Sequence, residues 1–130
     1  MPRRIRSLLH RSLVVGWLAA PFLIAGPGPA LAHDVLVWAS FQDKAIKAGT
    51  ATTVTLRFNA AIEAALSQVS LIDGDGHEQA LESRAGSRQG ELVVDVPALP
   101  AGAYGLRYKV LASDGHLTDE LVRFRINTAD

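Results

Sequence analysis

The chain has 130 residues, with 13 basic and 13 acidic side chains, four histidines, one methionine and no cysteine. The missing cysteine excludes disulfides, zinc-thiolate sites, thiol nucleophiles and haem attachment through sulfur, so any core is held by burial alone. Four of the basic residues fall in the first 32, which leaves residues 33–130 with nine basic against thirteen acidic side chains. A modestly acidic domain without a basic stripe argues against nucleic acid as a partner and against anionic membrane surfaces.

Residues 1–32 read as a secretory signal peptide rather than as fold. Arg3, Arg4, Arg6 and Arg11 make a positive start. The apolar run from Leu13 to Ile24 has the usual secretory length and is short for a membrane span. Ala30-Leu31-Ala32, after a Gly/Pro-rich break, is the small-x-small pattern that signal peptidase accepts. Cleavage there is expected to make His33 the first residue of an exported chain of 98 residues. That length suits one domain, 33–130, with a single core.

The periodicity of this domain is that of strands. Val35, Val37 and Ala39 alternate with Leu36, Trp38 and Ser40, and Val54, Leu56 and Phe58 alternate with Thr53, Thr55 and Arg57. Asn59 to Leu66 favours a single turn or short helix by propensity, with Asn59 as its cap. Val69-Ser70-Leu71-Ile72 runs into a doubled turn signal, Asp73-Gly74-Asp75-Gly76, and a weaker strand is expected through residues 78–83. Leu92, Val94 and Val96 form the next apolar face, and Pro97 to Gly102 a rigid corner. Tyr104, Leu106, Tyr108 and Val110 share one face, as do Val122, Phe124 and Ile126 at the end. Six or seven short strands separated by turns predict an all-β antiparallel sandwich.

Three histidines remain in this domain: His33, His77 and His116. A first-residue His grips a metal with both its ring and its α-amine, whose reference pKa is only about 7.7–8.0. The imidazole of His116 supplies a third nitrogen, and Asp114 an oxygen. Nitrogen with some oxygen suits Cu(II) best, while Zn(II) accepts the same ligands. Asp114 reads equally as an ordinary turn residue, and His77, in a polar loop, as solvated. Asp73 and Asp75 start like a calcium loop but lack its later acidic positions and closing Glu.

In this order, the starting His33, Leu56-Arg57-Phe58, Leu99-Pro100-Ala101-Gly102-Ala103-Tyr104, Ser113-Asp114-Gly115-His116 and Phe124-Arg125-Ile126 resemble the CopC-like periplasmic copper-binding proteins. The resemblance spans essentially all of 33–130. It implies an Ig-like Greek-key β-sandwich of about seven strands that binds one Cu(II) through His33, Asp114 and His116. It also implies a role in copper homeostasis or resistance, with an inner-membrane copper transporter of the CopD type as a partner. The chain departs from the family in several places. It has no methionine after Met1, so the Met-rich Cu(I) site of some members is not expected. Phe58-Asn59-Ala60 replaces a Phe-Ser-Glu whose carboxylate sits near the copper, Tyr108 replaces a Trp, and Ser40-Phe41-Gln42 replaces a Ser-x-Pro.

An enzyme is not expected. Ser113, Asp114 and His116 are too close in sequence to form a nucleophilic triad. N-terminal His chelates occur in copper oxygenases that cleave polysaccharides, but a domain of this size with short loops leaves little room for their broad substrate face. The competing classes are therefore a copper carrier, a metal-free exported Ig-like interaction module and, third, a copper-dependent oxidase.

Overall fold

The computed structural model describes Gly26 and residues 35–128. Apart from Gly26, the expected signal peptide lies outside the described residues, and so does His33. Eight strands follow in chain order: β1 (Leu36–Ala39), β2 (Thr52–Phe58), β3 (Gln68–Ile72), β4 (Glu78–Leu81), β5 (Ser83–Ala85), β6 (Glu91–Val96), β7 (Gly102–Leu111) and β8 (Leu117–Ile126). They form two four-stranded sheets, in the orders β1-β2-β6-β5 and β4-β3-β7-β8, with every pairing between strands antiparallel. No helix among the described residues is long and apolar enough to cross a membrane.

The core is the space between the two inner faces. Val54, Leu56 and Phe58 of β2 and Leu92, Val94 and Val96 of β6 come from one sheet. Val69 and Leu71, then Leu106, Tyr108 and Val110, then Phe124 and Ile126, come from the other. The period-2 pattern thus places the expected faces in one core, with Val122 partly buried against it. Tyr108, at the family's Trp position, is buried edge-on against Phe58 at 5.3 Å between ring centroids.

Three local expectations need correction. In β1 the pairing runs Leu36↔Phe58 and then Trp38↔Arg57, so Val37 is one residue too many and bulges. The bulge turns Leu36 inward and Trp38 outward, onto opposite faces, where simple alternation put them on the same one. The weak strand over residues 78–83 is two strands in different sheets, with Glu82 at the crossing. Their residues are mostly exposed, so no hydrophobic period marked the switch. Finally, Asn59 caps no helix. The only regular structure in 59–66 is a 3-10 turn at Ala64–Leu66, and Asn59 is engaged elsewhere.

Candidate metal centre

The β7–β8 hairpin closes at residues 112–116. The Gly115 N–H donates to the Ala112 carbonyl at 2.9 Å, and Ala112 N–H to the His116 carbonyl at 2.8 Å. Gly115 sits at φ +92, a left-handed conformation that L side chains resist. This turn lifts Asp114 and His116 out on the same side. The Oδ2 of Asp114 lies 3.0 Å from Nδ1 of His116, and its Oδ1 accepts the His116 backbone N–H at 3.1 Å. These two bonds, the backbone one first, hold the Asp114 carboxyl below the usual carboxylate range. Both side chains are more than half exposed, at 56% and 65%, so the ionised carboxylate and the imidazole are open to a ligand from solvent.

The hairpin end is pinned by the connection from β2 to β3. Ser113 N–H donates to the Ala61 carbonyl at 3.0 Å, Glu63 N–H to the Leu111 carbonyl at 2.8 Å, and Ile62 bridges Ala112. Ser67, nearly buried, completes the seam: its hydroxyl donates to the Glu63 carbonyl at 2.8 Å and accepts the Leu111 N–H at 3.2 Å. The same connection also takes up the chain entering β1. Val35 N–H donates to Asn59 Oδ1 at 2.9 Å, and Asn59 N–H returns to the Val35 carbonyl at 3.0 Å. Beneath it, Phe58 N–H donates to the Gly90 carbonyl at 2.8 Å, and Gly90 has no room for a Cβ, which would lie 2.7 Å from the Ala60 oxygen.

Residues 59–63 therefore join the entry at Val35 to the Asp114–His116 turn. Asn59 holds the entering chain and Ala61 the Asp114–His116 turn, roles that sequence reasoning did not assign to them. Asn59 was legible only as a polar residue between a strand and a helix-favouring run, which reads as a cap. Of the sequence-predicted ligands, Asp114 and His116 stand together, and His33 lies outside the described residues two positions before Val35.

His77 is exposed, as its polar loop suggested, and it has two acidic neighbours. In the β3–β4 turn Asp73 Oδ2 lies 3.1 Å from His77 Nδ1, and Asp73 Oδ1 accepts the N–H groups of Asp75 and His77, both at 2.9 Å. Asp73, Asp75 and His77 bring one ligand atom each within 4.8 Å of one another, the one such three-residue group among the described residues. The bond from the His77 backbone N–H is the largest cause holding the Asp73 carboxyl below its ordinary range.

A model of the CopC domain matches residues 36–127, which take in all eight strands of the sandwich. The chain belongs to the CopC domain family. Its fold is similar to the crystal structure of CopC from Methylosinus trichosporium OB3b, at 29% identity and a TM-score of 0.65, covering 75% of this chain and 97% of that one. PcoC, a methionine-rich copper resistance protein from Escherichia coli, shares the fold at 21% identity and a TM-score of 0.55, covering 74% of this chain and 100% of that one. No curated protein matches the sequence. One family feature is visible as geometry: the Tyr104 hydroxyl donates to the Pro100 carbonyl, four residues back, at 2.7 Å. This tyrosine corner fixes the Leu99-Pro100-Ala101-Gly102 turn against the start of β7.

Proposed function

We propose that this CopC-family chain is a periplasmic copper carrier or buffer that holds one Cu(II) per molecule. In this reading the leader is removed after Ala32, and His33 binds the ion through its free amine and its ring. Asp114 supplies an oxygen and His116 an imidazole nitrogen. The observation that carries the reading is the exposed Asp114–His116 pair, on a turn pinned to the same connection that takes up the chain at Val35. His33 stands two positions before Val35, about 7 Å of extended chain. Nitrogen-rich donors with one carboxylate favour Cu(II) over other divalent ions, with Zn(II) the nearest competitor.

The chain has no methionine after Met1, so it lacks the thioether ligands that suit Cu(I). This supports one ion per chain and a division of labour within the family, in which methionine-rich members hold copper in both oxidation states. The exposed, shallow position of the pair suits transfer of the ion to a recipient, for which an inner-membrane transporter of the CopD type is the expected class. The decisive experiment is the intact mass of the exported protein with and without Cu(II), under competition from a chelator. A chain starting at His33 with one retained copper is expected. A different first residue, or copper lost to a weak chelator, overturns the reading.

A further inference from the structure

Strand β8 has ten residues and, among the described strands, one hydrogen-bonded neighbour, β7. Its register with β7 is unbroken from Leu111↔Leu117 to Gly102↔Ile126, and Ala112 N–H donates to the His116 carbonyl. Antiparallel ladders alternate hydrogen-bonded with non-hydrogen-bonded pairs. The even-numbered residues of β8 therefore exchange backbone bonds with β7, and the odd-numbered ones direct N–H and C=O toward the open edge. Among the described residues, what reaches that edge is Lys47, in a parallel bridge to Asn127 just past the strand's end.

The odd-numbered residues also line the outer face of the sheet. Leu117 and Leu121 are 65% and 40% exposed, and Asp119, Arg123 and Arg125 are exposed among them. Soluble proteins usually blunt an edge with a short strand, a proline, a bulge or charges that repel a copy. This edge is long, regular and free of proline, and its charges are of both signs.

We propose that β8 pairs antiparallel with β8 of a second copy of this chain, about a two-fold axis through Leu121. The two four-stranded sheets then become one of eight strands. In that register Leu121 faces Leu121 of the second copy, Asp119 faces Arg123, and Leu117 faces Arg125. All of these fall at hydrogen-bonding positions of the open edge. The neighbouring two-folds are worse. An axis through Asp119, Glu120 or Arg123 sets that charged residue against itself, which opposes pairing. An axis through Val122 sets Leu121 against Arg123 and brings the end of the ladder to Asn127, where Lys47 already lies. The axis through Leu121 avoids both faults. Arg107 already holds Asp119 by two bonds of 2.9 and 2.8 Å, so the carboxylate is fixed on the outer face where Arg123 of the second copy arrives.

A single strand pair buries less than a standard stable interface, so the dimer is weak and forms with rising concentration. His116 lies five residues from the axis, which puts the two Asp114–His116 turns at opposite ends, about 34 Å apart by strand rise. Dimerisation is thus independent of copper and of the proposed metal site.

The test is sedimentation of the metal-free full chain from micromolar to millimolar concentration, with amide exchange measured alongside. A monomer–dimer equilibrium is expected, with the N–H groups of Leu121 and Arg123 slowing as concentration rises and those of Val122 and Phe124 slow throughout. Arg123→Asp and Asp119→Arg should each abolish association, since each sets like charges opposite one another. Mixed in equal amounts they should associate again, because every such pair then joins a carboxylate to a guanidinium. A chain that stays monomeric at millimolar concentration, or Leu121 and Arg123 amides indifferent to concentration, overturns the proposal. So does a mixture of two folded variants that fails to associate. Should Asp119→Arg unfold through loss of Arg107, the exchange data and Arg123→Asp decide alone.

Discussion

Val35 and Asn59 hold each other by two hydrogen bonds, the Val35 N–H to Asn59 Oδ1 at 2.9 Å and the Asn59 N–H to the Val35 carbonyl at 3.0 Å. One comes from a side chain and one from the backbone, so residue 59 decides where the chain enters β1. Asn59→Ala removes the first and keeps the second. The expected loss of stability is about 0.5–1.5 kcal/mol, small because the bond is exposed. The effect on copper should be larger than that on folding, because the entry to the site is no longer fixed. Urea unfolding beside a Cu(II) titration checks it. Unchanged copper affinity would separate Asn59 from the site.

Gly90 supports the same connection from below. Its φ is +81, and a Cβ would meet the Ala60 oxygen at 2.7 Å and the Phe58 oxygen at 3.0 Å. Gly90→Ala imposes backbone strain and pushes residues 58–60 outward. A loss of about 1–3 kcal/mol is expected for strain of this kind. The measurement is the urea midpoint at constant m-value, with the Asp114–His116 turn followed by NMR for a secondary displacement.

The sandwich was legible in the sequence because each main strand alternates with one apolar face. Val54/Leu56/Phe58 and Leu92/Val94/Val96 needed nothing beyond period 2 to be placed in the core. What stayed hidden depends on pairing. The bulge at Val37 shows only when β1 is laid against β2, and the crossing at Glu82 lies between strands too exposed to carry a pattern. At the site, the Asp-Gly-His turn was legible from Gly115 and its neighbours. The pinning of Ser113 by Ala61 was not, since a backbone-to-backbone bond across 52 positions leaves no mark on side-chain chemistry.

Acid should separate copper loss from unfolding. The carboxyls of Glu91, Asp114 and Asp119 are held below their ordinary range, chiefly by Arg57, by the His116 backbone N–H and by Arg107 respectively. A group with a lowered folded pKa contributes stability that is complete above the unfolded value and is lost as pH falls through the folded one. The metal-free fold should therefore hold its stability from neutrality down to the ordinary carboxylate range, about pH 4, and weaken below it. Copper competes with protons for imidazole and amine nitrogens, which bind protons at much higher pH, so the ion should leave first. Circular dichroism and the visible d–d band, followed together against pH, should show two transitions in that order. Coincident transitions would mean that the ion is released by unfolding.

The proposed α-amine ligand gives the sharpest prediction. Placing one extra residue before His33 turns the free amine into an amide and moves the chain end into the site. Cu(II) affinity should fall by orders of magnitude while the fold, whose core lies between β2, β6, β3, β7 and β8, stays intact. His116→Ala should cost a comparable amount by removing another nitrogen. Asp114→Ala should cost less if the carboxylate is a weaker oxygen ligand, and part of its effect should come through His116, whose Nδ1 it holds at 3.0 Å. His77→Ala should leave tight binding unchanged. The turn that carries His77 offers one imidazole and two carboxylates and no chain-end amine, so it lacks the nitrogen donors that favour tight Cu(II) binding. Titrations of the four variants against a competing chelator, with circular dichroism to confirm the fold, rank these effects. An extended chain that binds as tightly as the processed one removes His33 from the site and leaves Asp114 and His116 to be explained as the closing turn of a hairpin.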